Sequence, residues 1–102
     1  MTEQRIRAVV FKEGEWWVIQ VLDYDLATQV RRLEDVPDTF RRLILGQMEV
    51  NTFMGVAPFH GLSKAPRRFW EMYEKAHALV APTLLGDVDG EASPEVEARL
   101  AA

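Results

Sequence analysis

Two aspartates come closest to a catalytic arrangement in this sequence. Asp23 and Asp25 stand two positions apart in an extended segment, so their carboxylates could point the same way. Glu34, Asp35 and Asp38 follow nearby, and hydrolysis by two metal ions needs several carboxylates around ions about 4 Å apart. Turn formation and helix capping are more ordinary uses of the same acids, and we favour them. A metal-dependent nuclease relic using Asp23 and Asp25 is the alternative.

The two histidines give no second catalytic site. His60 lies in a loop beside Gly61, and His77 falls on the apolar side of a predicted helix. Neither has metal-binding spacing or a neighbouring nucleophile, and no GxSxG, Walker or HExxH pattern occurs. The sequence therefore predicts a protein that is not an enzyme and uses no cofactor or metal.

Three arginine pairs are candidates for binding phosphate or RNA. The net charge is −4, and residues 83–102 hold five acids and one base, so the first 82 residues carry eleven charges of each sign. A neutral body with an acidic tail lacks the long-range field that attracts nucleic acid. We favour salt bridges with the acids and keep a nucleic-acid binder as a second alternative. The pairs are Arg31-Arg32, Arg41-Arg42 and Arg67-Arg68.

Asp23 and Asp25 lie between the second and third strands of a predicted antiparallel meander. Residues 5–11 alternate as a first strand, Gly14 suits the turn that follows, and residues 16–22 form an apolar second strand. Residues 26–30 form a third, more exposed strand, whose free edge offers a route to homodimerisation. Adjacent tryptophans on a strand face opposite ways, so Trp16 or Trp17 is expected on the outer surface, where it would mark a protein contact.

The main predicted helix runs from Leu33 to about Asn51 and packs on the sheet through apolar residues at three- and four-residue spacing. Asp35 is its expected N-cap because Pro37 then falls in the first turn. Gly46 costs about 1 kcal/mol relative to alanine, so an alternative is that the helix weakens or stops there. The apolar stripe comprises Val36, Phe40, Leu43, Ile44, Gln47 and Met48.

The rest of the chain is predicted as a loop, an aromatic helix and a tail. Residues 54–66 form an ordered loop that buries Phe53 and Phe59 and could hold a fourth strand near residues 55–59. Ser63 caps a second helix that Pro82 ends. Its stripe comprises Phe69, Trp70, Tyr73, Ala76, His77 and Val80.

Length and composition bound the organisation. The 102 residues fit one domain, which we place at residues 1–82, followed at 83–102 by an acidic linker and a short terminal helix or disordered tail. There is no cysteine, no apolar N-terminal segment and no apolar run that could span a membrane. We therefore expect a cytoplasmic protein. The strand and helix patterns predict an α+β fold: an antiparallel sheet of three to four strands, one main helix packed on it and a C-terminal aromatic helix.

Residues 5 to about 48 resemble the HicB-like antitoxin family. The resemblance rests on the aromatic opening of the second strand, the Leu-x-Tyr-Asp stretch at residues 22–25, the Ala-Thr-Gln run at 27–29 and Leu-Glu-Asp at 33–35. It implies a truncated ribonuclease-H-like β-β-β-α-β fold without nuclease activity. Members of this family usually bind and block HicA, a small RNA-cleaving toxin, and many carry a DNA-binding segment. The sequence after residue 55 does not look like such a segment.

The resulting prediction is a non-catalytic protein-interaction module of the HicB type, or an orphan member with another role. A protein partner such as a HicA-like toxin, and a homodimer, are expected. The candidate partner-binding residues are Trp16, Trp17, Tyr24, Asp25, Gln29 and Arg31.

Overall fold

The sheet begins with the predicted hairpin. The computed structural model describes residues 5–78 and 95–101, and its first strands are β1 (Arg5–Glu13) and β2 (Trp16–Val21). They pair antiparallel, with Val10 opposite Ile19, and Gly14 supplies the positive φ of +61° that the turn requires. β1 therefore runs two residues further than the alternation predicted.

The third strand completes the meander and forms one edge of the sheet. β3 (Ala27–Val30) pairs antiparallel with β2, with Trp17 opposite Val30 and Val18 opposite Gln29. Val30 is buried, while Gln29 is exposed. The third strand is thus short and mostly exposed, as predicted.

The other half of the sheet differs from the prediction. The short strand β4 (His77–Ala78) and β5 (Glu95–Ala101) give a five-stranded sheet in the order β3-β2-β1-β5-β4. β5 runs parallel to β1, so the sheet is mixed and not antiparallel as expected. The prediction of a short terminal helix within residues 83–102 is wrong for residues 95–101. These residues form a strand that pairs with β1, some ninety positions earlier in the chain. The predicted linker at residues 83–94 lies outside the described residues.

The main helix is close to its prediction. A single 3₁₀ turn at Leu33–Asp35 leads into α1 (Val36–Phe53), with Asp35 at the N-cap position and Pro37 in the first turn. The Asp35 side chain makes no capping hydrogen bond. The helix continues through Gly46 without a break, so tertiary packing outweighs the low helix propensity of that glycine.

The second helix is shorter than predicted. α2 (Arg67–Lys75) begins after Pro66, not after Ser63, and ends before His77, which belongs to β4 and not to a helix. The segment before α2 is instead held to the end of β2. The Asp25 N–H donates to the Ser63 carbonyl at 2.6 Å, and the Ala65 N–H donates to the Leu22 carbonyl at 2.8 Å.

The loop between the helices forms turns rather than the fourth strand suggested for residues 55–59. Phe59 is buried as predicted, at a φ of +63°, and its N–H donates to Asn51 Oδ1 at 2.9 Å. Asn51 is itself buried and accepts a second hydrogen bond from Gln47. Phe53 was expected to be buried with this loop, and that prediction is wrong, because its side chain is 92% exposed.

The two helices pack on opposite faces of the sheet, which confirms the α+β class. The larger core lies between α1 and the sheet, and the smaller core lies between α2 and the sheet. Alternation along each strand sends Val10 and Ile19 to the first core and Val9 to the second. None of the helices within residues 5–78 is long and apolar enough to cross a bilayer.

Candidate functional site

The α2 face of the sheet is covered over only part of its width. α2 packs on β1 and β5, where Val9, Leu22 and Tyr73 are buried. On the β2 and β3 part of the same face Gln20 is buried, but the other side chains are partly or fully exposed. We call this surface the open face; it comprises Trp16, Val18, Ala27, Gln29 and Arg31.

Trp16 and Arg31 lie together at the end of the open face next to the β1–β2 turn. The Arg31 guanidinium lies 4.5 Å from the centroid of the Trp16 ring, a cation–π contact. Arg31 also lies 3.7 Å from the Glu15 carboxylate, and both of those side chains are well exposed. Tryptophan and arginine are the residue types that most often dominate protein interfaces. The arrangement therefore places an aromatic ring, with a guanidinium group over it, beside an edge of the sheet.

Trp17 points to the other side of the sheet, as expected for a neighbour of Trp16. It packs against the core under α1, and Lys12 Nζ lies 5.6 Å from its ring centroid. Trp17 also borders a groove of about 570 Å³ at the end of the sheet. The other residues that line this groove are Phe11, Lys12, Met72, Lys75 and Ala101.

Tyr24 and Asp25 belong to the turn after β2 and hold the long loop in place. The Tyr24 ring stacks on Phe59 with centroids 4.3 Å apart. Asp25 Oδ1 accepts a hydrogen bond of 2.9 Å from the buried Gln20 amide. Of the six predicted partner-binding residues, the structure thus brings together Trp16, Gln29 and Arg31, and it places Trp17, Tyr24 and Asp25 elsewhere.

Asp23 is engaged in an ion pair beneath α2. Its carboxylate accepts hydrogen bonds from the Arg7 guanidinium, the shortest at 2.6 Å, and one of 2.7 Å from the Arg7 backbone N–H. The hydrogen bond to Asp23 raises the pKa of Arg7 above its already high usual value, so Arg7 stays protonated. Trp70 of α2 lies over the same guanidinium at 4.6 Å. This cluster binds the helix to the sheet.

The metal and nucleic-acid alternatives gain no geometric support. Within residues 5–78 and 95–101, no three or more histidine, cysteine or acidic side chains are placed to hold a metal ion. In the described part of the chain, five of the six arginines in the three pairs, all except Arg41, contact an acid or an aromatic ring individually. The contacts are Arg31 with Glu15, Arg32 with Glu34, Arg42 with Asp38, Arg67 with Glu71, and Arg68 over the Phe69 ring.

Two features of the surface were missed from the sequence. Val18 lies on the open face because it alternates with the buried Ile19, a signal already present in the strand pattern. Phe53 and Val50 project from α1 at the margin of the predicted apolar stripe, on the side where Leu43 lies. Their spacing of three residues could have indicated a second apolar surface on α1. It was missed because the apolar residues that face the core dominate the pattern of the same helix.

Comparisons of the chain with protein-family models, curated proteins and solved structures find no match. The resemblance of residues 5–48 to the HicB-like antitoxins therefore stays a prediction.

Proposed function

We propose that this protein is a non-catalytic interaction module that binds a protein partner through the open face. The specific form that we propose is neutralisation of a small, basic, RNA-cleaving toxin, as HicB-type antitoxins do. The observation that carries the proposal is the Trp16–Arg31 contact beside the edge strand β3, in which the exposed Arg31 side chain lies over the half-buried Trp16 ring.

Three features support this proposal. The element order contains the β-β-β-α-β succession that the resemblance implies, with α2 and β4 inserted before the final strand. The outer edge of β3 offers unpaired backbone groups that can add a strand from a partner. Asp23, the first acid of the nuclease alternative, is occupied by Arg7.

The test is to ask whether a small basic protein is encoded beside the gene and, if one is, to titrate it into the purified protein by calorimetry. Trp16→Ala is expected to weaken binding at least about 30-fold, the scale of an interface hot spot. Arg31→Ala should weaken it by a smaller factor. The matched control is Arg68→Ala, since Arg68 also covers an aromatic ring, 4.6 Å from the Phe69 centroid, but on α2.

Circular dichroism establishes that each variant is folded. Protection of cells from the co-expressed basic protein should fall in the same order as affinity. Unchanged binding by both Trp16→Ala and Arg31→Ala would contradict the open face as the contact surface. Absence of any complex, or of any toxicity of the neighbouring protein, would contradict the antitoxin form.

A further inference from the structure

The C-terminal half of α1 exposes apolar side chains. Val50 is 51% exposed, Phe53 is 92% exposed and Met54, directly after the helix, is 66% exposed. They are the large apolar side chains that stand out into solvent among the described residues. Together they form an apolar patch on the side of the molecule away from the open face, since α1 and α2 lie on opposite faces of the sheet.

The patch continues along α1 as a seam. Leu43, Gly46, Val50 and Phe53 follow one another at spacings of three, four and three residues. This alternation is the a/d pattern by which one helix packs against another. Leu43 is half-buried at the margin of the core, so the seam runs from the core margin out to solvent.

Nothing within residues 5–78 and 95–101 requires a glycine at position 46. A Cβ atom at this position would meet no atom within 4 Å, and the backbone there has no positive φ. Glycine destabilises a helix interior relative to alanine. A glycine in the middle of a seam does, however, let a second helix approach closely, because interaxial distance depends on the side chains at the contact.

We propose that the seam, defined as Leu43, Gly46, Val50 and Phe53, pairs with the same seam of a second copy of this chain. The two helices run antiparallel around a two-fold axis at Gly46. Phe53 of one copy then lies against Thr39 of the other, which is small enough to accommodate the ring.

Charge complementarity favours a second copy in this orientation. Arg42 and Glu49 are exposed along one flank of the seam, seven residues apart and on opposite sides of Gly46. At 1.5 Å per residue they lie about 6 Å and about 4.5 Å from the axis. An antiparallel two-fold pair therefore places Arg42 of each copy beside Glu49 of the other. Glu49 forms no ion pair within the described residues, whereas Arg42 now contacts Asp38 at 3.1 Å.

One short helix pair is smaller than a standard interface of about 800 Å² per partner, so we expect a dissociation constant of roughly 10–100 µM. Sedimentation equilibrium of the full chain from about 5 to about 500 µM covers this range. A monomer at the upper end of the range would overturn the proposal.

Variants test the seam and its direction. Phe53→Ser should abolish dimerisation without unfolding the protein, because the side chain is almost fully exposed. Gly46→Ala should raise the melting temperature of the dilute protein and yet weaken the dimer at least about fivefold, because the added methyl groups separate the helices.

The charge exchange is the sharpest measurement. Arg42→Glu and Glu49→Arg should each weaken the dimer, and the double variant should restore it to within about twofold. Arg41→Glu is the matched control and should leave the dimer unchanged, because Arg41 is exposed but points about 100° away around the helix.

Each of the following outcomes overturns the proposal. Failure of the double exchange to restore the dimer contradicts the antiparallel register. A dimer that is insensitive to Phe53→Ser belongs to another surface, such as the β3 edge. If the wild type is a monomer and Phe53→Ser destabilises it, the seam is covered by another part of the same chain. If the wild type is a monomer and Phe53→Ser abolishes binding of a different protein, the seam is the binding surface for that protein.

Discussion

One face of the sheet has two halves that differ in what covers them. Over β1 and β5, α2 buries Val9, Leu22 and Tyr73 and closes over the Arg7–Asp23 ion pair. Over β2 and β3, the side chains of Trp16 and Arg31 contact each other and solvent. The same strand alternation thus produces a core in one half and a candidate interface in the other.

The cause is geometric. A helix is about 10 Å wide and neighbouring strands are about 4.8 Å apart, so one helix covers about two strands. The sheet has five strands, and α2 lies on β1 and β5. Among the described residues, the apolar and aromatic side chains Trp16 and Val18 on this part of the face are therefore only partly covered.

Truncating an apolar side chain in each half should give the largest contrast. Leu22→Ala removes a fully buried side chain and should lower the free energy of unfolding by about 2–5 kcal/mol. Val18→Ala, on the open face, should lower it by about 1 kcal/mol or less because Val18 is only partly buried. Urea denaturation measures both. Equal losses would mean that the open face is covered as completely as the α2 half.

Breaking the ion pair covered by α2 should destabilise the protein more than breaking an exposed ion pair. Asp23→Ala leaves Arg7 partly buried without its carboxylate, and we expect a loss of about 2 kcal/mol in the free energy of unfolding. Glu34→Ala breaks the well-exposed pair with Arg32 and should cost no more than about 0.5 kcal/mol. Thermal denaturation at low and high salt compares them. A loss for Asp23→Ala as small as that of the control would contradict a structural role for the covered pair.

Removing a hydroxyl group should give the smallest contrast. The Tyr73 hydroxyl donates to Glu97 of β5, so Tyr73→Phe should destabilise the protein by about 1 kcal/mol. Tyr24→Phe keeps the ring stack on Phe59, and no hydrogen bond of its hydroxyl occurs within the described residues, so its effect should be close to zero. Melting temperatures at matched concentration measure the difference. A larger loss for Tyr24→Phe would reverse the comparison.

The elements nearest the N-terminus were predictable because their signals are local. The alternation of Ile6, Ala8 and Val10 specifies which side of β1 is buried, and Gly14 marks the turn. Asp35 and Pro37 mark the start of α1, and the helix begins there. Each signal lies within a few residues of the feature that it specifies, so no distant contact is needed to interpret it.

The sequence also determined that Trp16 and Trp17 face opposite ways, since side chains alternate along any strand. It did not determine which of the two is left open. That depends on where α2 ends and on which strands it covers, and residues from β1, β5 and the Ser63–Ala65 segment decide both.

Tertiary structure alone decided the course of residues 95–101. Charged and apolar residues alternate from Glu95 to Leu100, which is a strand pattern, but the strand also needs a pairing partner, and that partner lies about ninety residues away. Beside β1 the segment becomes a strand, Ala98 enters the core, and Glu97 meets Tyr73. Local periodicity can specify an element and its sides, but its partner is selected by surfaces that exist only once the rest of the chain has folded.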